Sequence, residues 1–160
     1  MNGPVQCRIV SKLDHRVATF VPDDGTNPAL IALGKRGQLK AIPPIFDNAA
    51  LENQRFELRP ALAHGQGVFS IHLVKDPTIV LRFTPMAPIH KVNMWMDDPN
   101  APNQFWKIQA GGKIHLNMNP LVNLHTQGDA YNVGAAEEGF YLDLVTHELG
   151  IFGNAFGIGI

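Results

Sequence analysis

The chain writes one six-residue phrase three times. Asn53-Gln54-Arg55-Phe56-Glu57-Leu58 returns as Asn103-Gln104-Phe105-Trp106-Lys107-Ile108 and, more diverged, as Glu137-Glu138-Gly139-Phe140-Tyr141-Leu142. In each copy a ring follows two places after the Gln or Glu, and an aliphatic residue follows two places after the ring. Period two is the spacing of a strand, so ring and aliphatic share one face. Three copies, in order, within 160 residues predict threefold internal repetition of a strand-built unit.

Each copy has a similar lead-in. Cys7-Arg8-Ile9-Val10, Phe69-Ser70-Ile71-His72-Leu73 and Lys113-Ile114-His115-Leu116 open the three units with alternating apolar residues. A polar or Pro-containing turn follows, then a second short run: Val17–Phe20, Ile79–Phe83 and Leu121–Leu124. The units are unequal, running approximately 1–62, 63–110 and 111–160. The first carries an insertion around Gly34-Lys35-Arg36-Gly37, and the third is clipped. Fifteen Gly and twelve Pro are spread along the chain, which supplies turns to many short strands and leaves little room for a long helix. A single all-β domain is the expectation, with room for a helical turn near Asp47–Glu52 and two longer helical candidates at Asn132–Val145 and Tyr141–Phe152 that Gly134, Gly139 and Gly150 weaken.

Charge narrows the partners. The net charge is −1, and no Lys/Arg stripe alternates with aromatics, so nucleic acid is not expected. No run approaches the roughly 20 apolar residues of a membrane helix, and no basic, apolar leader opens the chain. The one cysteine, Cys7, has no intramolecular partner and reads as a small core residue. These features together point to a reducing, cytoplasmic setting.

Catalytic patterns fail individually. His147-Glu148 lacks the second His of a zinc-protease helix, because Ile151 stands there. The seven His form no close ligand pair. His72 and His115 occupy matching places in two units and read as outward or half-buried strand positions, so no metal or cofactor is expected. Asp23-Asp24 and Asp97-Asp98 sit beside Gly25 and Pro99, in turns where Asp fits for conformational reasons. An enzyme is not expected.

The phrases Asn53-Gln54-x-Phe56 and Asn103-Gln104-x-Trp106 resemble the Gln-x-Trp signature of ricin-type β-trefoil lectins. The second unit is the best match, from Val92-Asn93-Met94-Trp95-Met96-Asp97-Asp98 through Asn103-Gln104-Phe105-Trp106. The resemblance implies a β-trefoil of three unequal four-stranded repeats that binds glycans or glycoproteins through a shallow site in the second repeat. Trp95 takes the position that stacks on a sugar ring, and Asn103, beside Gln104, takes the position that bonds its hydroxyls. The family also sets an Asp at the end of the second strand. Here that stretch reads Leu81-Arg82-Phe83-Thr84, with Thr19 in the first unit and Asn123 or His125 in the third. Asp76, Asp97 or Asp98 would have to supply the acceptor from a different loop. The expected sugar-binding set is therefore Trp95, Asp97, Asp98, Asn103 and Gln104.

A second resemblance is to mushroom β-trefoil protease inhibitors, which implies a protease as the alternative partner. Under that reading the loop Asp23–Pro28 or the basic turn at Lys35-Arg36 enters a protease cleft. The closing segment Leu149–Ile160 is apolar and Gly-rich. It is expected either to close the barrel or to dock on a second copy as a homodimer.

Overall fold

The computed structural model describes residues 3–22, 37–44, 51–85 and 91–144. The loop Asp23–Pro28, Lys35-Arg36, His147-Glu148 and the apolar segment Ile151–Ile160 lie outside the described residues, and with them the inhibitor loops and the proposed dimer strap.

Among the described residues the chain is all-β, with three short 3-10 turns at Glu52–Gln54, Leu62–His64 and Pro102–Gln104. The strands are β1 (Val5–Ser11), β2 (Val17–Pro22), β3 (Gly37–Ile42), β4 (Phe56–Pro60), β5 (Phe69–Leu73) and β6 (Ile79–Phe83). They continue as β7 (Val92–Met96), β8 (Trp106–Ile108), β9 (Ile114–Leu116), β10 (Asn119–Gln127), β11 (Ala130–Gly134) and β12 (Phe140–Leu144). The alternating runs read from the sequence fall within strands, apart from Lys113, which stands just before β9. No helix among the described residues is long and apolar enough to cross a membrane.

The pairing closes on itself. It passes from β11 through β10, β9, β8, β5, β4, β1 and β2 to β3, and β3 returns to β11 at Ala130–Lys40. To this ring β6 and β7 add as a hairpin, and β12 pairs along β1 from Cys7–Leu144 to Ser11–Phe140. A shorter circuit closes through β12 as well, because Lys113, just before β9, bridges to Gly139. Closure removes the open edges that would otherwise invite further strand pairing.

The three rings of the repeated phrase open β4, β8 and β12, and all are fully buried: Phe56, Trp106 and Phe140. Phe56 lies between Cys7 and Leu73, and Trp106 between Phe69 and Leu116. Phe140 pairs with Ser11 and donates its backbone N–H to the Gly112 carbonyl. The offsets are the same each time: Cys7, Phe69 and Gly112 stand two residues before Ile9, Ile71 and Ile114. Those three isoleucines are buried in the same core cluster. Gly112 holds φ +84°, and a Cβ there would collide with the Phe140 carbonyl, so only glycine fits this third place.

Two strand histidines are more enclosed than the sequence suggests. His72 and His115 are both buried, because β5 and β9 are covered on both faces. His72 Nδ1 donates to the Pro77 carbonyl at 2.8 Å, which leaves Nε2 to accept from the Ser70 hydroxyl at 2.7 Å. His115 Nδ1 bonds the Leu116 carbonyl at 3.0 Å.

Candidate functional site

The Gln or Glu of each phrase is a buried bracket. Gln104, 2% exposed, donates from Nε2 to the Met96 carbonyl and accepts the Asp98 N–H at Oε1, both at 2.8 Å. It ties the end of β7 to the turn carrying Asp97 and Asp98. Gln54 does the comparable job after β3, donating to the Pro43 carbonyl at 3.2 Å and to the Thr19 hydroxyl at 3.1 Å. Glu138 cannot donate once ionised, and its partners have changed to match. It accepts from Ser11 Oγ at 2.9 Å, from Thr126 Oγ1 at 2.6 Å and from Thr126 N–H at 3.1 Å. Both ends of the Gln104 amide are thus engaged by backbone beneath the surface. Its role is to shape the turn above it.

Asp97 and Asp98 are exposed. Asp97 donates its backbone N–H to the Thr78 carbonyl at 2.8 Å, which leaves its carboxylate on the turn. Asp98 Oδ1 accepts the Asn100 N–H at 3.0 Å, a local Asx turn. Asn103 is half-buried and donates from Nδ2 to the Phe83 carbonyl at 2.8 Å. Trp106 Nε1 reaches the same strand at the Leu81 carbonyl, 3.1 Å away. The phrase thus lies along β6 and holds it in place.

Trp95 stands elsewhere on the hairpin. Val80 pairs with Trp95 and Arg82 with Asn93, so period-two alternation places these four on one face. Leu81 and Met94, between them, point the other way and are fully buried. On the first face Val80 is also fully buried, whereas Trp95, Arg82 and Asn93 are half-buried. The Arg82 guanidinium lies 3.9 Å above the Trp95 ring centroid, and its Nε donates to Asn93 Oδ1 at 3.1 Å. One face of the indole is therefore covered by a cation.

The structure brings Gln104, Met96 and Asp98 into one clamp and sets Asn103 against Phe83, the strand neighbour of Arg82. Arg82 and Asn93 were not among the residues expected from sequence. The signal was present in the alternation Asn93-x-Trp95, but only the hairpin register shows that Arg82 is the cross-strand partner. A further bracket also went unread: His64 stacks on Phe105 with centroids 3.7 Å apart, and its Nε2 bonds the Pro99 carbonyl at 3.1 Å. Among the described residues no group of three or more His, Cys, Asp or Glu could hold a metal ion.

No protein-family model and no curated protein sequence matches the chain. Solved structures do match its fold. The C-half of an earthworm R-type lectin, determined with GalNAc, has a TM-score of 0.61 at 15% identity, over 88% of this chain and 98% of that one. The BEL β-trefoil has a TM-score of 0.59 at 14% identity, over 86% and 92%. A mosquitocidal holotoxin has a TM-score of 0.60 at 15% identity; the match covers 88% of this chain and only 17% of the toxin. At these identities the likeness is one of fold, an all-β closed barrel shared with β-trefoil and lectin structures.

Proposed function

We propose that the chain is a carbohydrate-binding protein built as a single β-trefoil domain of three unequal repeats, approximately 1–62, 63–110 and 111–160. The matching environments of Phe56, Trp106 and Phe140 support that partition. Its ligands are glycans or glycoproteins, taken at a shallow site on the second repeat. Trp95 is the observation that carries this reading. A large ring left half-exposed on the outer face of a clamped hairpin offers an apolar platform to the CH-rich face of a pyranose. The Arg82 guanidinium lies over one face of that ring, so a sugar that stacks there displaces the guanidinium. Asn103, through its carbonyl oxygen, and the turn carboxylates Asp97 and Asp98 supply acceptors for hydroxyls. Gln104 holds that turn from beneath. The buried lone thiol of Cys7 fits a reducing compartment, and cytoplasmic location belongs to the same proposal.

A glycan array probed with the full chain and with Trp95→Ala tests this. Wild-type binding should be lost in the variant while its urea unfolding midpoint stays unchanged, because the ring is not a core residue. Retained binding in Trp95→Ala would move the site elsewhere. If no glycan binds and a protease is inhibited instead, with Lys35 or Arg36 substitutions relieving the inhibition, the inhibitor reading takes its place.

A further inference from the structure

The loop that joins β7 to β8 is pinned at both ends. At its start the Asp97 N–H donates to the Thr78 carbonyl at 2.8 Å. At its end Gln104 holds the Met96 carbonyl and the Asp98 N–H. Between these anchors the chain makes one tight turn. Asp98 accepts the Ala101 N–H at its carbonyl and the Asn100 N–H at its carboxylate, both at 3.0 Å. Pro99 takes the second place of that turn, where its fixed φ fits. A turn closed by the carbonyl of its first residue leaves the carbonyl of its second unused. Here that carbonyl, of Pro99, meets His64 Nε2 at 3.1 Å.

His64 arrives from another part of the fold. It ends the 3-10 turn Leu62–His64, in the connection between β4 and β5. Gly65, at φ +130°, turns the chain directly after it. The imidazole is exposed, yet it is fixed at two places. Its ring stacks on Phe105 with centroids 3.7 Å apart and planes 21° from parallel, and Phe105 is itself buried beside Gln104. A carbonyl only accepts, so Nε2 carries the proton in its bond to Pro99.

This strut bears on the polar groups of the candidate site. Asp98 is bonded covalently to Pro99, and the Gln104 N–H, next to Asn103, donates to the Ala101 carbonyl at 3.3 Å. Moving Pro99 therefore moves both. A loop fixed only at its ends keeps freedom in its middle, and a ligand must freeze that freedom when it binds. A third fixed point removes the cost in advance.

We propose that His64 is a positioning residue for the glycan site, holding the Asp98–Ala101 turn from outside so that Asp97, Asp98 and Asn103 meet a sugar already in their binding arrangement. This rests on the carbohydrate-binding reading above and adds a residue that acts through the turn rather than on the sugar.

The test is a glycan array read over a concentration series of the full chain and of three variants, each shown folded by circular dichroism. His64→Ala removes ring and donor, and should weaken binding at every spot the wild type occupies by about fivefold. His64→Gln returns a donor without the ring, and His64→Phe returns the ring without the donor; each should recover part of the loss. In amide hydrogen exchange, the Asn100 and Ala101 N–H groups should exchange about fivefold faster in His64→Ala, while those of β8 are unchanged. Undiminished affinity in His64→Ala, a loss that neither replacement reduces, or unchanged exchange in the turn overturns the inference and leaves the carbohydrate-binding reading standing. Absence of wild-type binding at every spot overturns both together.

Discussion

Among the described residues the phenol oxygen of Tyr131 has no hydrogen-bond partner, and the side chain is fully buried. Burial, reinforced by the charges of Glu138 and Asp14, pushes its ionisation well above the usual tyrosine range. Such a hydroxyl has left water without gaining a partner, which costs free energy. Tyr131→Phe should therefore not destabilise the fold, and should raise its unfolding free energy by up to about 1 kcal/mol, measured by urea denaturation. A loss of stability would mean that the hydroxyl has a partner, most simply an enclosed water. His72 gives a prediction in pH. Burial of its ring lowers its proton affinity below the ordinary histidine value of 6.5, against the opposing Pro77 carbonyl and the charges of Asp97 and Glu57. As pH falls below 6.5, the unfolded chain takes up the proton first. Stability is thus complete above that value, declines from there down to the depressed folded value, and then levels. Unfolding midpoints measured across this window should show the decline, and His72→Asn should flatten it.

At the scale of elements, the repeated phrase is a joint between a strand and the turn before it. Its polar member decides which groups can meet there. Gln104 needs a donor end for the Met96 carbonyl, whereas Glu138 meets only groups able to donate to it. Exchanging the two chemistries should therefore be asymmetric. Glu138→Gln keeps an acceptor for Thr126 and should cost about 1 kcal/mol. Gln104→Glu sets a buried carboxylate against a carbonyl oxygen and should cost about 3 kcal/mol at neutral pH. Repulsion and burial would raise the folded pKa of that new carboxyl above its unfolded value of about 4.3. Its penalty is then greatest above the raised value and disappears as pH falls below about 4.3. Denaturation of the two variants at neutral and acid pH measures both the asymmetry and the recovery. The joint was legible in the sequence because it depends on local spacing: Gln, then ring, then aliphatic at period two. Arg82 over Trp95 was not legible, because it depends on how two strands line up across a hairpin. The enclosure of His72 and His115 was hidden for a related reason. One strand's alternation does not reveal what will cover its other face.

For the whole molecule, pairing joins the first and last described strands: β1 runs beside β12, and Arg8 on one strand meets Asp143 on the other in a largely buried ion pair. The phrase rings and the three isoleucines belong to one core cluster, so no repeat buries its apolar face alone and unfolding should be cooperative. The chain's two tryptophans probe this from opposite sides, Trp106 in the core and Trp95 on the outer hairpin face. In Trp95→Phe the remaining emission should be blue-shifted, resistant to acrylamide and lost at the same urea concentration as the far-UV signal. In Trp106→Phe the remaining emission should quench readily, yet disappear in the same transition. An earlier loss of the Trp95 signal would show that the β6–β7 hairpin opens by itself, and would reduce its value as a preformed binding surface. The same pair of variants reports on function. Glycan added to the folded chain should perturb the emission of Trp95 and leave that of Trp106 unchanged, because only the outer ring stands where a sugar can reach it. A ligand-induced change confined to Trp106 would place binding on another face of the barrel.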